Sequence, residues 1–220
     1  MPNLLTFVDI VNAVLDEIDV SPVDATSDAF ETDAAEAANT ELRRVKRYVQ
    51  IIYQTIYRRN RDYPWCRLKQ TLTTVAGQAE YDLNDLDPAT DFNNLYWLQA
   101  ADGDPVPLER YDTALEAHEG SSIAYVLGSK LIFKTTPLTV ETYTLVGKKK
   151  FVQLAAHDDE PLMDEADRQV LYFGAAWMAK EHDNENSHYA ALYTNAITEL
   201  DAACDNSYIT QSARADNYYY

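Results

Sequence analysis

The residue types able to do chemistry in this chain gather in two short acidic runs. These are His157-Asp158-Asp159-Glu160, and His182-Asp183-Asn184-Glu185 followed by His188. Imidazole nitrogens and carboxylate oxygens are ligands for divalent ions, so each run holds a metal-ligand set of residue types. Neither matches a known ligand spacing, and both fall in polar turns between elements, where acids and histidines are common. The expectation is a structural role for both and no metal. The chain holds 36 acidic residues, so some carboxylate pair will lie at a glycosidase-like separation whatever the fold, and that signal carries no weight alone. There is no G-x-S-x-G, no phosphate-cradling glycine loop and no H-E-x-x-H. No catalytic residue and no cofactor are expected.

Charge is more informative. The net charge is −18, but it is distributed unevenly. Residues 1–40 carry nine acids and no Lys or Arg; residues 41–69 carry nine basic residues against Glu41 and Asp62, a local +7; residues 80–127 carry eleven acids against Arg110 alone. A chain of this balance does not seek phosphate, because nucleic-acid binding needs a net basic face. The basic band, Arg43, Arg44, Lys46, Arg47, Arg58, Arg59 and Arg61, is either a solvated helix face or a contact surface for something acidic, including another copy of the chain.

The elements that must position these residues form four parts. Apolar residues at helical spacing from Leu5 to Leu15 predict a first helix ending near Asp19-Pro22. A polar loop follows. Asp33-Ala34-Ala35-Glu36 has capping-box form, and from it a long helix is expected to run to about Arg61, roughly 40 Å at 1.5 Å per residue. Its apolar stripe is Leu42, Val45, Val49, Ile52 and Ile56; Pro64 ends it. Residues 69–152 are strand-like, with candidates at 70–76, 79–83, 93–99, 123–127, 130–135 and 139–147, a Gly128-Ser129 hairpin turn, and a short helix at "RYDTALEAH". Pro105 and Pro107 confine their segment to an edge or loop.

A small antiparallel sandwich or barrel is expected there, inserted between N- and C-terminal helices: an α+β chain. Helices are expected again at 165–182, with Val170, Phe173, Trp177 and Met178 available to pack, and from Ser187 to about Cys204, with Tyr189, Leu192, Tyr193, Ala196, Ile197 and Leu200 as the buried stripe. Residues 207–220 lack periodicity and are expected to form an extended arm.

No segment approaches the 18 to 20 apolar residues of a membrane span, and the N-terminus has no signal-peptide pattern. Cys66 and Cys204 are expected as buried free thiols. Tyr63 and Trp65 fit a core plug between helix and sheet better than a base-stacking platform. The terminal Tyr218-Tyr219-Tyr220, with Arg214 and Asn217, fits a partner-binding arm.

The order of features resembles the head-to-tail adaptor proteins of tailed bacteriophages, the group that includes the tail tubular A-type proteins. The resemblance rests on the helix ending "RDYPWCRLKQTLTTVAGQAEYDL", with Gly77-Gln78 through Leu83 taken as a first hairpin, on "DGDPVPLERYD", and on the run from "AYVLGSKLIFKTTPLTV" through "HDDEPLMDEADRQVLYFGAAWMAKEHD". It covers about residues 5–205. The acidic segment 21–36 departs from the pattern.

The resemblance implies a structural protein and no enzyme. It implies a homo-oligomeric ring, usually of twelve copies, docked beneath the portal protein. The ring encloses a channel through which DNA passes without sequence-specific binding, and it presents its far face to the next tail, nozzle or tail-tube protein. Such a protein is a virion component, assembled in the host cytoplasm. Two other classes compete: a phage enzyme cleaving cell-wall glycan with paired carboxylates, and a small DNA-binding protein using the 43–61 helix.

Overall fold

The computed structural model describes residues 4–24, 26–32, 39–59, 63–85, 90–103, 105–106, 108–111, 124–180 and 186–215. The fold is α+β, and the chain divides into two compact units: Met1–Trp65 with Val152–Tyr220, and Cys66–Phe151.

The first unit is helical. Helix α1 (Phe7–Glu17) opens with a reciprocal capping box. The Thr6 hydroxyl accepts from the Asp9 N–H at 3.4 Å, and the Asp9 carboxylate accepts from the Thr6 N–H at 3.0 Å. A short helix, α2 (Ser27–Phe30), occupies what the sequence presents as a polar loop. Helix α3 spans Thr40–Arg58. It is shorter than expected, about 28 Å at 1.5 Å per residue. Asn39 is extended (φ −129°, ψ 94°) and its side chain accepts the Leu42 N–H at 3.0 Å, so the helix is capped there. The Asp33–Glu36 capping box lies outside the described residues. Leu42, Val45, Val49, Ile52 and Ile56 are all buried, joined by Tyr53 and Tyr57.

Helix α4 (Gln169–Ala179) packs on α1, α3 and α5 (Asn186–Ala215). Its deepest residues are Val170, Leu171 and Ala175 with Gly174, while Phe173, Trp177 and Met178 are only half-buried. The small residues win because α3 approaches closely: a Cβ added to Gly174 would lie 2.9 Å from Ile52 Cγ2. In α5 the buried positions are Tyr189, Ala196, Ile197, Leu200 and Cys204, with Leu192 and Tyr193 half-buried. The backbone stays helical to Ala215, where an extended arm was expected from 207. Residues 205–215 contain neither Gly nor Pro, so nothing local stops the helix.

Among the described residues the second unit holds two four-stranded sheets, β1-β8-β3-β4 and β2-β7-β6-β5. The strands are β1 Arg67–Thr73, β2 Glu80–Asp82, β3 Thr90–Gln99, β4 Pro105–Val106, β5 Leu108–Tyr111, β6 Ala124–Leu127, β7 Lys130–Phe133 and β8 Thr142–Lys149. Leu72, Leu98, Tyr143 and Leu145 of the first sheet share one core cluster with Tyr81, Val126, Leu131 and Phe133 of the second. Gly128 (φ +59°) turns β6 into β7 as a two-residue hairpin, with Leu127 paired to Lys130. Pro105 lies in the edge strand β4.

Two expectations fail here. The segment around Gly77 (φ +86°) makes no hairpin: β1 pairs with β8 and β2 with β7, so the turn hands the chain from one sheet to the other. Arg110 and Tyr111 continue strand β5, which runs parallel to β6, so the unit is not wholly antiparallel and no helix begins at Arg110. The rest of that expected helix lies outside the described residues.

Candidate assembly surfaces

Helix α3 carries five of the seven cations of the basic band, and the described ones meet different fates. Lys46 Nζ donates to the Phe30 carbonyl at 2.9 Å and sits 4.5 Å from the Phe30 ring centre. Arg44 donates to the Tyr48 hydroxyl and to the Ala179 carbonyl, and pairs with Glu41 at 3.3 Å. Arg59 pairs with Asp201 at 3.2 Å. These three serve their own unit. Arg43, Arg47 and Arg58 are exposed, and none has an ion-pair partner among the described residues. Arg61 lies outside the described residues. Steps of four, four and seven place Arg43, Arg47, Ile51 and Arg58 along one side of the helix. Thr40, Arg43, Arg44, Arg47, Tyr48 and Ile51 line a shallow open depression there, and Ile51 is 38% exposed.

The acidic segment after α1 is stapled to the helical unit. Asn12 brackets Val23, accepting its N–H at 2.8 Å and donating to its carbonyl at 2.9 Å. Phe30 is fully buried, edge-on to Phe7 with ring centres 5.2 Å apart. Glu31 accepts from both the backbone N–H (2.8 Å) and Nδ1 (2.7 Å) of His157. That hydrogen bond is the main cause raising the His157 pKa above its ordinary value, and the same bond holds Glu31 below its own. Nothing in the segment's composition announced Phe30 as a core residue.

Glu31, His157 and Asp158 are the one group among the described residues that brings potential metal donors together. The first two already satisfy each other, and Asp158 is exposed, so the arrangement is a latch between the segment and the 155–160 loop. That loop also seats the N-terminus of α1: the Phe7 N–H donates to the Asp159 carbonyl at 2.7 Å and the Val8 N–H to the His157 carbonyl at 3.1 Å. Arg168 is buried and donates to the carbonyls of Leu5, Met163 and Pro161, with Glu160 at 3.2 Å. The acidic run before the closing helices thus makes contacts within the fold. The second run, 182–185, lies outside the described residues; His188 is exposed, its ring 5.4 Å from that of Tyr189.

Tyr63 and Trp65 are buried and stack on one another, ring centres 5.2 Å apart and 6° from parallel. The Trp65 indole N–H finds no acceptor among the described residues. Arg214 falls in the last turn of α5; Asn217, Tyr218, Tyr219 and Tyr220 lie outside the described residues. Cys66 and Cys204 are buried and form no disulfide.

One surface escaped sequence reasoning altogether. At the turn after β1 and the loop before β8, Val75, Leu138 and Val140 are 54%, 88% and 65% exposed. Both segments are held by hydrogen bonds. The Thr74 N–H donates to the Glu141 carbonyl at 2.8 Å, the Glu141 N–H returns a 2.9 Å bond to the Thr74 hydroxyl, and the Gly77 N–H donates to the Pro137 carbonyl at 2.9 Å. Thr-Pro-Leu-Thr-Val gives no periodic signal, so only the pairing of β1 with β8 reveals the cluster.

These features are exposed charged and apolar surfaces on a two-unit α+β scaffold, and the class they fit is a structural protein. A protein-family model described as SU10 adaptor protein matches residues 5–217. The chain belongs to that family, a family of phage head-to-tail adaptors and not of enzymes. No curated protein matches the chain. No helix among the described residues is long and apolar enough to cross a membrane.

Proposed function

We propose that this protein forms the adaptor ring at the head-to-tail junction of a phage virion, docking beneath the portal protein and presenting its far face to the next tail, nozzle or tail-tube protein. The observation that carries this reading is the adaptor-family match over residues 5–217. Twelve copies enclose the DNA exit channel. The helical unit is a bundle of long helices, the β unit is a small sandwich inserted into its chain, and Tyr63 and Trp65 stand where the chain leaves the one for the other. The surplus of negative charge suits a conduit, since walls that repel DNA do not hold it during passage. Arg43, Arg47 and Arg58 offer acidic surface on a neighbour a ready partner, while Arg214 and Asn217 to Tyr220 serve as a portal-binding arm. Assembly takes place in the host cytoplasm.

Native mass measurement of the protein, alone and with portal protein, tests the proposal. A closed ring is expected. A monomer that releases sugars from peptidoglycan, or one that binds short duplex in a salt-sensitive way, would replace it with a different function.

A further inference from the structure

The exposed tip of the β unit and the depression on α3 have matching properties. The tip is apolar and exposed, carrying Val75, Leu138 and Val140. Beside it stands Glu141, exposed and without a cation partner among the described residues. The depression is lined by the apolar Ile51 and the Tyr48 ring together with Arg43 and Arg47, two guanidiniums without an anionic partner among the described residues. Single exposed apolar residues are ordinary on a soluble protein; three on two segments that hydrogen-bond to one another form a patch. Because those hydrogen bonds already order the tip, burying it costs little further conformational entropy.

We propose that the tip of one copy seats in the depression of the next, with Glu141 meeting Arg43 and Arg47 across the contact. The occupant of the depression is a second copy of this chain, because the chain itself carries both halves of the match in charge as well as in apolarity. Two different surfaces that complement one another give a head-to-tail contact, which closes into a ring when the rotation per copy permits. The inference rests on the ring reading above and names the surfaces that build it.

Disulfide capture and charge exchange in the full chain test it. Ile51→Cys and Leu138→Cys combined in one chain should give, on oxidation at high protein concentration, a ladder of disulfide-linked multimers on a non-reducing gel. Either substitution alone should stop at dimers, and the parent, whose Cys66 and Cys204 are buried, should give neither. Glu141→Arg and Arg47→Glu should each weaken self-association about tenfold through like-charge contact, and the double exchange should restore it to within about threefold. The variants are to be run alone and with portal protein, with melting temperature as the folding control.

A multimer of parental size without a ladder, insensitive to both reversals, would leave the ring standing and overturn this contact. Absence of any multimer or ladder, with portal or without, would overturn both. If Glu141→Arg instead abolishes binding of the downstream tail protein and spares self-association, the tip serves that partner and the proposal is wrong.

Discussion

The Tyr63 hydroxyl donates a 2.7 Å hydrogen bond to one oxygen of Asp201, whose other oxygen lies 3.2 Å from Arg59. Residues 138 apart in sequence thus clamp the end of α3 to α5. Burial first, and then the bond to Asp201, push the phenol pKa well above its ordinary value, so it stays a donor at every physiological pH. Tyr63→Phe removes the bond while keeping the ring, and should lower the unfolding free energy by about 1–2 kcal/mol. Urea denaturation checks this; an unchanged midpoint refutes the clamp.

Trp65 stacks on Tyr63 and is 4% exposed. Trp65→Ala empties a large buried volume and should cost about 3–5 kcal/mol. A melting temperature within error of the parent would show that the ring is not part of a packed core.

The latch between Glu31 and His157 predicts a pH dependence. The His157 pKa is raised in the folded state, so its stabilisation is full below the unfolded value of 6.5 and is lost as pH rises through the folded value. The Glu31 pKa is lowered, so its stabilisation is full above 4.5 and is lost as pH falls through the folded value. The melting-temperature difference between the parent and His157→Gln should therefore be greatest between those two values and shrink on both sides. A difference independent of pH would exclude the ionised pair.

Gly174 faces Ile52 with no room for a methyl group. Gly174→Ala should destabilise by about 1–3 kcal/mol despite the better helix propensity of alanine. Adding Ile52→Ala opens the space, so the double variant should lose less than the sum of the two singles. Strict additivity in a double-mutant cycle would mean the helices can move apart.

Arg43, Arg47 and Arg58 have no ion-pair partner among the described residues. Reversing all three to Glu should leave the melting temperature within about 0.5 kcal/mol equivalent, as surface changes without partners do. Assembly on portal protein should weaken, most clearly in low salt, where screening is least. Unchanged assembly in low salt would remove these arginines from the interface.

What the sequence made legible follows from how local each signal is. The stripe of α3 and the Gly128 turn are set within a few residues, by helical spacing and by a positive φ that glycine accommodates. Helix α3 begins at Thr40 because Asn39 is extended and caps it, and a single extended residue decides where the first turn can form. Two strand-like runs flank the Gly77 turn, which is the pattern of a hairpin; their true partners, β7 and β8, lie 48 or more residues away. Within the basic band, periodicity set the angular positions but could not show that Phe30, Ala179 and Asp201 engage Lys46, Arg44 and Arg59. Those partners come from other elements, and only folding reveals them.

The pairing of Arg67 with Lys148 has an architectural consequence. The β unit starts and finishes on neighbouring antiparallel strands, a separation of about 5 Å between paired Cα atoms. A short turn is long enough to span that gap, so the helical unit can in principle be spliced shut where residues 66–151 now depart and return. The β unit is a cassette with adjacent ends, whose length and loops can vary between the same two points of departure and return.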